Sequence, residues 1–332
     1  MAMIMRRGAL AVLAMIAAVM TNPAALAAEP LPVLRLGALK FGTVNWELDV
    51  IRHHGLDEAN DFVLEVVDMA GNNASAVALQ GGAVDVIVSD WLWVSRQRAV
   101  GADYTFAPYS LTVGALMVRP DSGIDSLADL AGRKLGIAGG PVDKSWLLLQ
   151  AYAQSTQGID LADAVEPVFG APPLLNELIA SDDLPAVLNF WHYNARLAAA
   201  GMTELVSVSA MLPALGVETP PPLLGWVFSE EWAVEHPAVI EGLLTASRAA
   251  KQILAESDAE WERLRPMTRA ADDKTLIALR DAHRAGIPRS FGPAEIEAAE
   301  TMFSVMAELG GEKLTGSSAE LAAGTFWPHF GF

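Results

Sequence analysis

The sequence predicts an α/β fold made of two similar lobes around a shared cleft, and two observations support it. Apolar, strand-like runs alternate with helical patterns, which is typical of parallel sheets. In addition, residues 79–101 resemble residues 179–201. The aligned pairs are Trp91 with Trp191, Trp93 with Tyr193, Arg96 with Arg196, Gly101 with Gly201 and, at the same offset, Trp46 with Trp146. Such a repeat indicates two copies of one unit, each offering strand ends and helix starts to the cleft.

The first lobe is predicted from four strands and the helices between them. The strands are 34–39, 62–67, 84–89 and 104–110. A helix over 46–54 ends at Gly55, and a helix over 74–80 is capped by Asn72 and Asn73. Asp90 is the expected cap of the helix that carries Trp91.

The second lobe begins with a long apolar strand, 111–119, and then the segment 125–137 runs from a short helix into a new strand. Its further strands are 134–138, 165–169, 186–190 and 205–208, and Pro141 is predicted at the first position of a helix. A strand over 223–229 then returns to the first lobe. The remainder is predicted to be helical, with breaks near Pro266, Pro288 and Gly310-Gly311, and to pack on lobe one.

These elements divide the chain into lobe one (29–115), lobe two (116–215) and a returning part of lobe one (216–332). The chain crosses between lobes twice, near 111–119 and near 216–228. Two crossing strands form a hinge, where small dihedral changes can close the cleft.

The N-terminus reads as a secretory signal peptide over residues 1–28. Arg6 and Arg7 precede an apolar run, 9–20, and a small-residue exit, 24–28. The apolar run is too short to span a bilayer. Cleavage leaves about 305 residues without any Cys, hence without a lipid-modified cysteine or a disulfide. We expect a soluble monomer in the periplasm.

Charge and composition exclude several functions. Losing Arg6 and Arg7 takes the net charge from −18 to −20, whereas nucleic-acid binding needs a basic face. The chain has no Cys, no Gly-x-Ser-x-Gly elbow and no recognisable Ser-His-Asp spacing, so catalysis is not expected. His53 and His54 do not predict a metal site, because Gly55 breaks their helix. We expect no cofactor.

Ligands of open α/β sheets bind beyond the carboxyl ends of the strands, and this rule gives the candidate site. Lobe one contributes Lys40, Phe41, Thr43, Asn45, Trp46, Ser89, Asp90 and Trp91. Lobe two contributes Gly139, Gly140, Asp143, Trp146, Asn189, Trp191, His192 and Tyr193.

Each kind of candidate has an ordinary structural alternative. The tryptophans at 46, 91, 146 and 191 suit planar rings by stacking or amines by cation–π contact, but they also suit the packing of helix starts on a sheet. The amides of Gly139-Gly140 can hold an anion or form a simple turn. Asp90 and Asp143 can bind a ligand amine or cap helices.

The remaining polar candidates also have two interpretations. Lys40 can meet a carboxylate or sulfonate, or stay solvated. His192 can donate to a ligand or be a core histidine, while Asn45 and Asn189 can hydrogen-bond a ring or a carbonyl. With four Trp, one Lys and no Arg expected near the cleft, we favour an aromatic, heteroaromatic or amine ligand, and a sulfonate-type anion remains open.

Four segments, in this order, make the chain resemble the substrate-binding proteins of ABC importers, specifically the NitT/TauT group. They are 79–89 with its Gly-x-x-Asp element, 127–137 (Leu-Ala-Asp-Leu-Ala-Gly-Arg-Lys-Leu-Gly-Ile), 228–237 and the tail 309–314 with Trp327. The resemblance covers most of the chain after residue 28. It implies a type II periplasmic-binding fold, a small-molecule ligand such as nitrate, a sulfonate, taurine or a pyrimidine, and partners that are an inner-membrane permease and its ATPase.

Two other functions remain possible on the same scaffold. An exported enzyme would use a titratable pair such as His192 with Asp90 or Asp143, although pyrimidine-synthesising proteins that resemble this family rely on a Cys-rich stretch that is absent here. A sensory accessory protein would use the same clamp to report its ligand to a membrane receptor.

Overall fold

The structure is a computed structural model that describes residues 30–316, 318 and 320–330. The predicted signal peptide therefore lies outside the described residues. Within the described part of the chain, no helix is long and apolar enough to cross a membrane.

Strands and helices alternate through the first two-thirds of the chain, and helices dominate the rest. The strands are β1 (Val33–Leu39), β2 (Val63–Met69), β3 (Val86–Asp90), β4 (Tyr104–Ser110), β5 (Ala115–Val118), β6 (Lys134–Ala138), β7 (Glu166–Gly170), β8 (Ala186–Asn189), β9 (Thr203–Ser207) and β10 (Leu224–Ser229). The helices are α1 (Val44–His53), α2 (Asn72–Gln80), α3 (Trp91–Ala99), α4 (Lys144–Gln157), α5 (Leu161–Ala164), α6 (Pro172–Ala180), α7 (Trp191–Ala199), α8 (Val208–Met211), α9 (Glu230–Glu235), α10 (Pro237–Glu256), α11 (Asp258–Thr268), α12 (Asp273–Ala285), α13 (Pro293–Gly310) and α14 (Glu312–Thr315).

Each lobe contains one five-stranded sheet, and the two sheets have matching strand orders. Lobe one has the order β2-β1-β3-β10-β4, and lobe two has β7-β6-β8-β5-β9. The first three strands are parallel, and the fourth runs antiparallel to both of its neighbours. The returning chain supplies the fourth strand of lobe one, and the entering chain supplies that of lobe two. The α/β fold with two crossings predicted from the sequence is thus confirmed.

The offset of 100 residues seen in the sequence recurs in the folded elements. Helices α1 and α4 begin at Val44 and Lys144, α2 and α6 at Asn72 and Pro172, and α3 and α7 at Trp91 and Trp191. Even the turns after α3 and α7 match, with Gly101 and Gly201 at φ 90° and 93°. Only glycine adopts this conformation without steric cost.

Helix starts follow the predicted caps in α3 and α4 but not in α2. The Asp90 side chain accepts from Trp93 N, and that of Asp143 accepts from Ser145 N, both at 2.9 Å. The prediction that Asn72 and Asn73 cap α2 is wrong, because both lie inside its first turn and Gly71 precedes it without a side-chain bond.

Pro141 was also placed wrongly. It is not the first helical residue, because α4 begins at Lys144, after the Asp143 cap.

The first crossing is shorter than the predicted strand 111–119. Only Ala115–Val118 pair in the sheet of lobe two, and residues 111–114 link the lobes. This link is held from both sides, because Leu111 N donates to Gly286 O at 2.8 Å and Val208 N donates to Gly114 O at 3.0 Å. The second crossing runs through residues 208–223 and contains α8 and a 3-10 turn, Leu212–Leu215.

The C-terminal helices pack on lobe one, as predicted, and also reach lobe two. Helix α10 packs against α1, whereas α12 packs against α7 and α13 against α4. Consequently Leu31–Phe332 form one compact unit. The predicted break near Pro266 is confirmed, because α11 ends at Thr268 and Arg269 follows in the left-handed region.

Candidate functional site

A cavity of about 680 Å³ lies between the lobes, at the carboxyl ends of β1 and β8. We call it the cleft cavity. Lobe one and its C-terminal helices line it with Lys40, Phe41, Gly42, Thr43, Asn45, Trp46, Arg52, Val66, Asp68, Pro266, Met267, Thr268 and Arg269, and lobe two lines it with Pro173, His192, Tyr193 and Arg196.

The lobe-one wall is the loop between β1 and α1. Asn45 fixes this loop, because its Nδ2 donates to Leu39 O at 2.8 Å and to Gly42 O at 3.0 Å. Phe41 at its tip is 69% exposed, which is unusual for a large apolar side chain. Arg269 lies 4.4 Å from the centre of the Phe41 ring, so a cation already occupies one face of this aromatic group.

The lobe-two wall is one face of α7, formed by His192, Tyr193 and Arg196. The His192 and Tyr193 rings are 4.3 Å apart, and Asn176 Nδ2 donates to Tyr193 O at 3.1 Å. Arg196 reaches across to lobe one, where it donates to Thr268 O at 2.7 Å and Arg269 O at 3.3 Å. These carbonyls end α11, where a cation is electrostatically favoured.

Two groups of this wall, His192 and Arg196, have lowered pKa values. Burial, helped by the nearby Arg196, lowers the pKa of His192 to about 4, so the imidazole is neutral at pH 7. Burial also lowers the pKa of Arg196, and Arg269 adds to the effect while Tyr193 opposes it. His192 Nδ1 is buried and has no hydrogen-bond partner among the described residues.

The cleft cavity is strongly cationic. Four of its lining side chains, Lys40, Arg52, Arg196 and Arg269, are basic, and one, Asp68, is acidic. The prediction that no Arg lies near the cleft is therefore wrong. Arg269 follows α11 and Arg52 lies on the exposed side of α1, so only the packing of these helices brings them to the cleft.

Seven of the sixteen residues predicted from the sequence line the cleft cavity: Lys40, Phe41, Thr43, Asn45, Trp46, His192 and Tyr193. Sequence reasoning missed Arg52, Asp68, Arg196 and the segment 266–269. The repeat singled out Arg196, but its alignment with Arg96 gave no reason to place either of them at a ligand.

The second predicted group lies around the starts of α3 and α4. Lys144 Nζ lies 3.0 Å from Asp90 Oδ2, which is an ion pair between the lobes. Burial by itself raises the pKa of Asp90, but Lys144 and the Trp93 amide outweigh it and lower that pKa. Burial raises the pKa of Asp143. Ser89 is half-buried at the end of β3.

Gly139 and Gly140 form the turn before Asp143. Gly139 has φ +86°, and a Cβ there would stand 3.1 Å from Asp143 Oδ2, so the cap folds over this glycine. Asn189 is 1% exposed, and its side chain bonds Pro172 O, Asn176 Oδ1 and Phe190 N within lobe two. Ligand contact by these residues stays a prediction.

The four repeat tryptophans divide into two pairs. Trp46 and Trp191 meet across the lobes, with ring centroids 5.9 Å apart and planes at 83°. Trp91 and Trp146 are 0% and 3% exposed and pack in separate hydrophobic cores. In this structure these two indoles are core residues, and their predicted contact with a ligand stays a prediction.

A buried ion pair joins α1 to α10. Lys251 Nζ lies 2.6 Å from Glu47 Oε2, Ser247 Oγ donates to Glu47 Oε1 at 2.6 Å, and Lys251 lies 4.2 Å above the Tyr109 ring. Burial raises the pKa of Glu47 and lowers the pKa of Lys251. Neither residue lines the cleft cavity, so the pair orients α1 against α10 rather than contacting a ligand there.

Comparison with known proteins identifies the family. A family model described as NMT1/THI5 like matches residues 52–260, which is more than half of the chain. The protein therefore belongs to the NMT1/THI5-like family. A search of curated proteins finds no match.

Solved structures confirm the two-lobed periplasmic-binding fold. The periplasmic aliphatic sulphonate binding protein SsuA from Escherichia coli is 18% identical, with a TM-score of 0.69 over 89% of this chain and 97% of that chain. The alkanesulfonate-binding protein SsuA from Xanthomonas axonopodis pv. citri, bound to MOPS, is 16% identical, with a TM-score of 0.68 over 91% and 99%. The periplasmic nitrate-binding protein NrtA from Synechocystis PCC 6803 is 10% identical, with a TM-score of 0.54 over 76% and 69%. At these identities the similarity establishes the fold.

Proposed function

We propose that this protein is an extracytoplasmic solute-binding protein. It captures a small organic molecule between its lobes and delivers it to an ABC permease driven by an ATPase. The observation that carries the proposal is the cleft cavity, whose volume of about 680 Å³ lies within the ordinary range of small-molecule sites and whose lining comes from both lobes. Because a signal peptide is predicted, the proposal includes export to the periplasm, where we expect the protein to act as a soluble monomer.

The lining charges favour an organic anion with an apolar or aromatic body. Four basic side chains against one acidic side chain complement a negative ligand, and Phe41 and Tyr193 offer rings to its body. Of the classes predicted from the sequence, the sulfonate-type anion is thus favoured over the amine. Two similar solved structures carry sulfonate-binding names and one a nitrate-binding name, which agrees with an anionic ligand.

Binding of p-toluenesulfonate, measured by calorimetry beside the neutral p-toluenesulfonamide, tests this proposal. The anion should bind at least tenfold more tightly than the amide, because only the anion pairs with the basic side chains. A preference for the amide, or no binding of either probe, would contradict an anion site.

A matched pair of variants tests the location. Arg196→Gln removes a cleft cation and should weaken the sulfonate about tenfold, whereas Arg96→Gln, its repeat counterpart on α3, should change affinity less than twofold. Equal effects of the two variants would show that the anion binds elsewhere.

The enzyme alternative predicted a pair of His192 with Asp90 or Asp143, and both carboxylates have other partners. Asp90 is bound to Lys144 and Trp93 N, and Asp143 to Ser145 N, so neither carboxylate orients His192. Mass spectrometry of the ligand after long incubation should therefore recover it unchanged, and appearance of a product would favour the enzyme.

A further inference from the structure

The positive charge of the cleft cavity is unusual for a chain this acidic. The sequence has 22 lysines and arginines against 40 aspartates and glutamates. The cleft cavity reverses this ratio, because Lys40, Arg52, Arg196 and Arg269, which we call the cleft cations, face one acidic side chain, Asp68. A concave surface that carries one sign of charge concentrates its field inside the cleft. The positive charge is therefore a property of this site and not of the whole chain.

The cleft cations also lack the carboxylate partners that other cations of the chain have. Arg119, for example, pairs with Asp121 and Asp182, both at 2.8 Å, and Arg263 pairs with Asp49 at 2.6 Å. Within the described part of the chain, no carboxylate lies at ion-pair distance from any cleft cation. Their counter-charges are thus left for a ligand to supply.

Neutral groups hold three of the cleft cations around one place. Arg196 donates to Thr268 O at 2.7 Å and to Arg269 O at 3.3 Å, which leaves other N–H groups of its guanidinium for a ligand. Arg269 lies 4.4 Å from the centre of the Phe41 ring, and Lys40 Nζ lies 5.9 Å from the same centre. These cations therefore surround a single ring, and their solvent-exposed or half-buried side chains are accessible from the cavity.

The number of charges indicates how many acid groups the ligand carries. Four positive lining side chains and one negative one leave three net positive charges. One sulfonate neutralises a single charge and leaves the remaining cations to repel one another, whereas two acid groups on one molecule neutralise most of the excess.

We propose that the cleft cavity takes a compact organic dianion, an aromatic ring that carries a sulfonate and a second acid group such as a carboxylate. This inference rests on the proposed function, because it concerns the same cavity. The sulfonate pairs with Arg196 and Arg269 at the end of α11, and the second acid group pairs with Lys40 and Arg52 on the side of α1.

Three probes that share one ring test the class of ligand: p-toluenesulfonate, 4-sulfobenzamide and 4-sulfobenzoate, each titrated calorimetrically into the full protein at neutral pH. The first two are monoanions, and the third replaces the methyl or amide group by a carboxylate. The dianion should bind about tenfold more tightly than either monoanion, since a second charged group is paired.

The outcomes separate this inference from the proposed function. Equal affinity for 4-sulfobenzoate and p-toluenesulfonate would overturn the dianion class alone, and so would equal affinity for 4-sulfobenzoate and 4-sulfobenzamide, because polarity and not charge would then explain the preference. No binding of any of the three probes would overturn the proposed anion site together with this inference.

Salt provides an independent test. Raising sodium chloride from about 20 mM to about 200 mM should reduce the preference for the dianion from about tenfold to about threefold, since ions screen charges in an open cleft. A preference that does not change with salt would show that it does not arise from the second charge.

Variants locate the second acid group. Lys40→Gln should weaken 4-sulfobenzoate about fivefold and leave p-toluenesulfonate within twofold, because only the dianion reaches this side chain. Lys134→Gln, which changes an exposed lysine at the start of β6 outside the cavity, is the matched control and should leave both probes within twofold. If the control lowers the preference as much as Lys40→Gln does, or if neither Lys40→Gln nor Arg52→Gln lowers it, the proposal is wrong.

Discussion

The two lobes share one fold, yet matched positions have different environments. Position 47 is a buried Glu in lobe one, and position 147 is a buried Leu in lobe two. Trp91 is fully buried, while its counterpart Trp191 is only partly buried, where it meets Trp46 of the other lobe. The difference arises from the C-terminal helices, which cover α1 with a lysine of α10 and cover α4 with the apolar side of α13. The two lobes thus have similar backbones, but matched side chains lie in different environments, because the C-terminal helices contact each lobe differently.

The largest expected effect distinguishes the paired tryptophans. Trp91→Ala should lower the free energy of unfolding by about 5 kcal/mol, since it empties a fully buried site. Trp191→Ala should cost about 2 kcal/mol, because its ring is only partly buried. Urea denaturation measures both values. Similar losses of unfolding free energy in the two variants would mean that the two tryptophans are equally buried, which would contradict the comparison.

The buried ion pair provides the second test of the comparison. Lys251→Met should destabilise the protein by about 3–4 kcal/mol, because it leaves the Glu47 carboxylate buried without its cation. Burial raises the pKa of Glu47 in the folded state, so the folded protein favours the protonated carboxyl. The stability lost in Lys251→Met should therefore grow as the pH rises above the ordinary carboxyl pKa.

The double variant Glu47→Leu/Lys251→Met is the matched control, because it gives lobe one the residue that lobe two has at position 147. It should recover most of the lost stability. If the double variant is no more stable than Lys251→Met, the ion pair stabilises the fold by more than the neutralisation of two buried charges.

The inter-lobe pair of Asp90 and Lys144 should give a smaller effect. Asp90→Ala removes both the α3 cap and the partner of Lys144, and should cost about 1–2 kcal/mol. Asp90→Asn keeps a capping oxygen and should cost about half as much.

The pH dependence of this effect has a definite sign. The pKa of Asp90 is lowered on folding, so its contribution is complete above the ordinary value of 3.8 and is lost as the pH falls through the folded value. The stability difference between the wild type and Asp90→Asn should therefore shrink in acid. A difference that stays constant down to pH 2 would argue against an ion pair.

The smallest expected effect concerns His192. Because its pKa is about 4, the imidazole stays neutral between pH 6.5 and 8, and p-toluenesulfonate affinity should vary less than about twofold over that range. Binding that strengthens steadily from pH 8 to 6.5 would instead indicate a histidine that becomes charged in the cleft.

Local patterns were sufficient to predict much of the fold. The strands at 104–110 and 134–138 were predicted with the bounds that the structure shows, because apolar runs between turn residues define them. The caps Asp90 and Asp143 were also recognisable, since each acts on amides two or three residues away. The strand predicted over 111–119 was too long, because an apolar crossing has the same composition as a strand.

The candidate site was only partly predictable. Residues beyond strand ends, such as Phe41 and Tyr193, follow from topology and line the cleft cavity. Arg269 is far from them in sequence and reaches the cavity because α11 ends there, so no local pattern marks it.

By itself, the sequence determined the repeat, the alternation of strands and helices and the two crossings, because these follow from hydrophobic periodicity and from short-range caps and turns. Only the tertiary structure decided which of the repeated tryptophans became core and which cations met in the cleft. These outcomes depend on where the C-terminal helices pack on the two lobes, and packing between segments so distant in sequence is not encoded in any one of them.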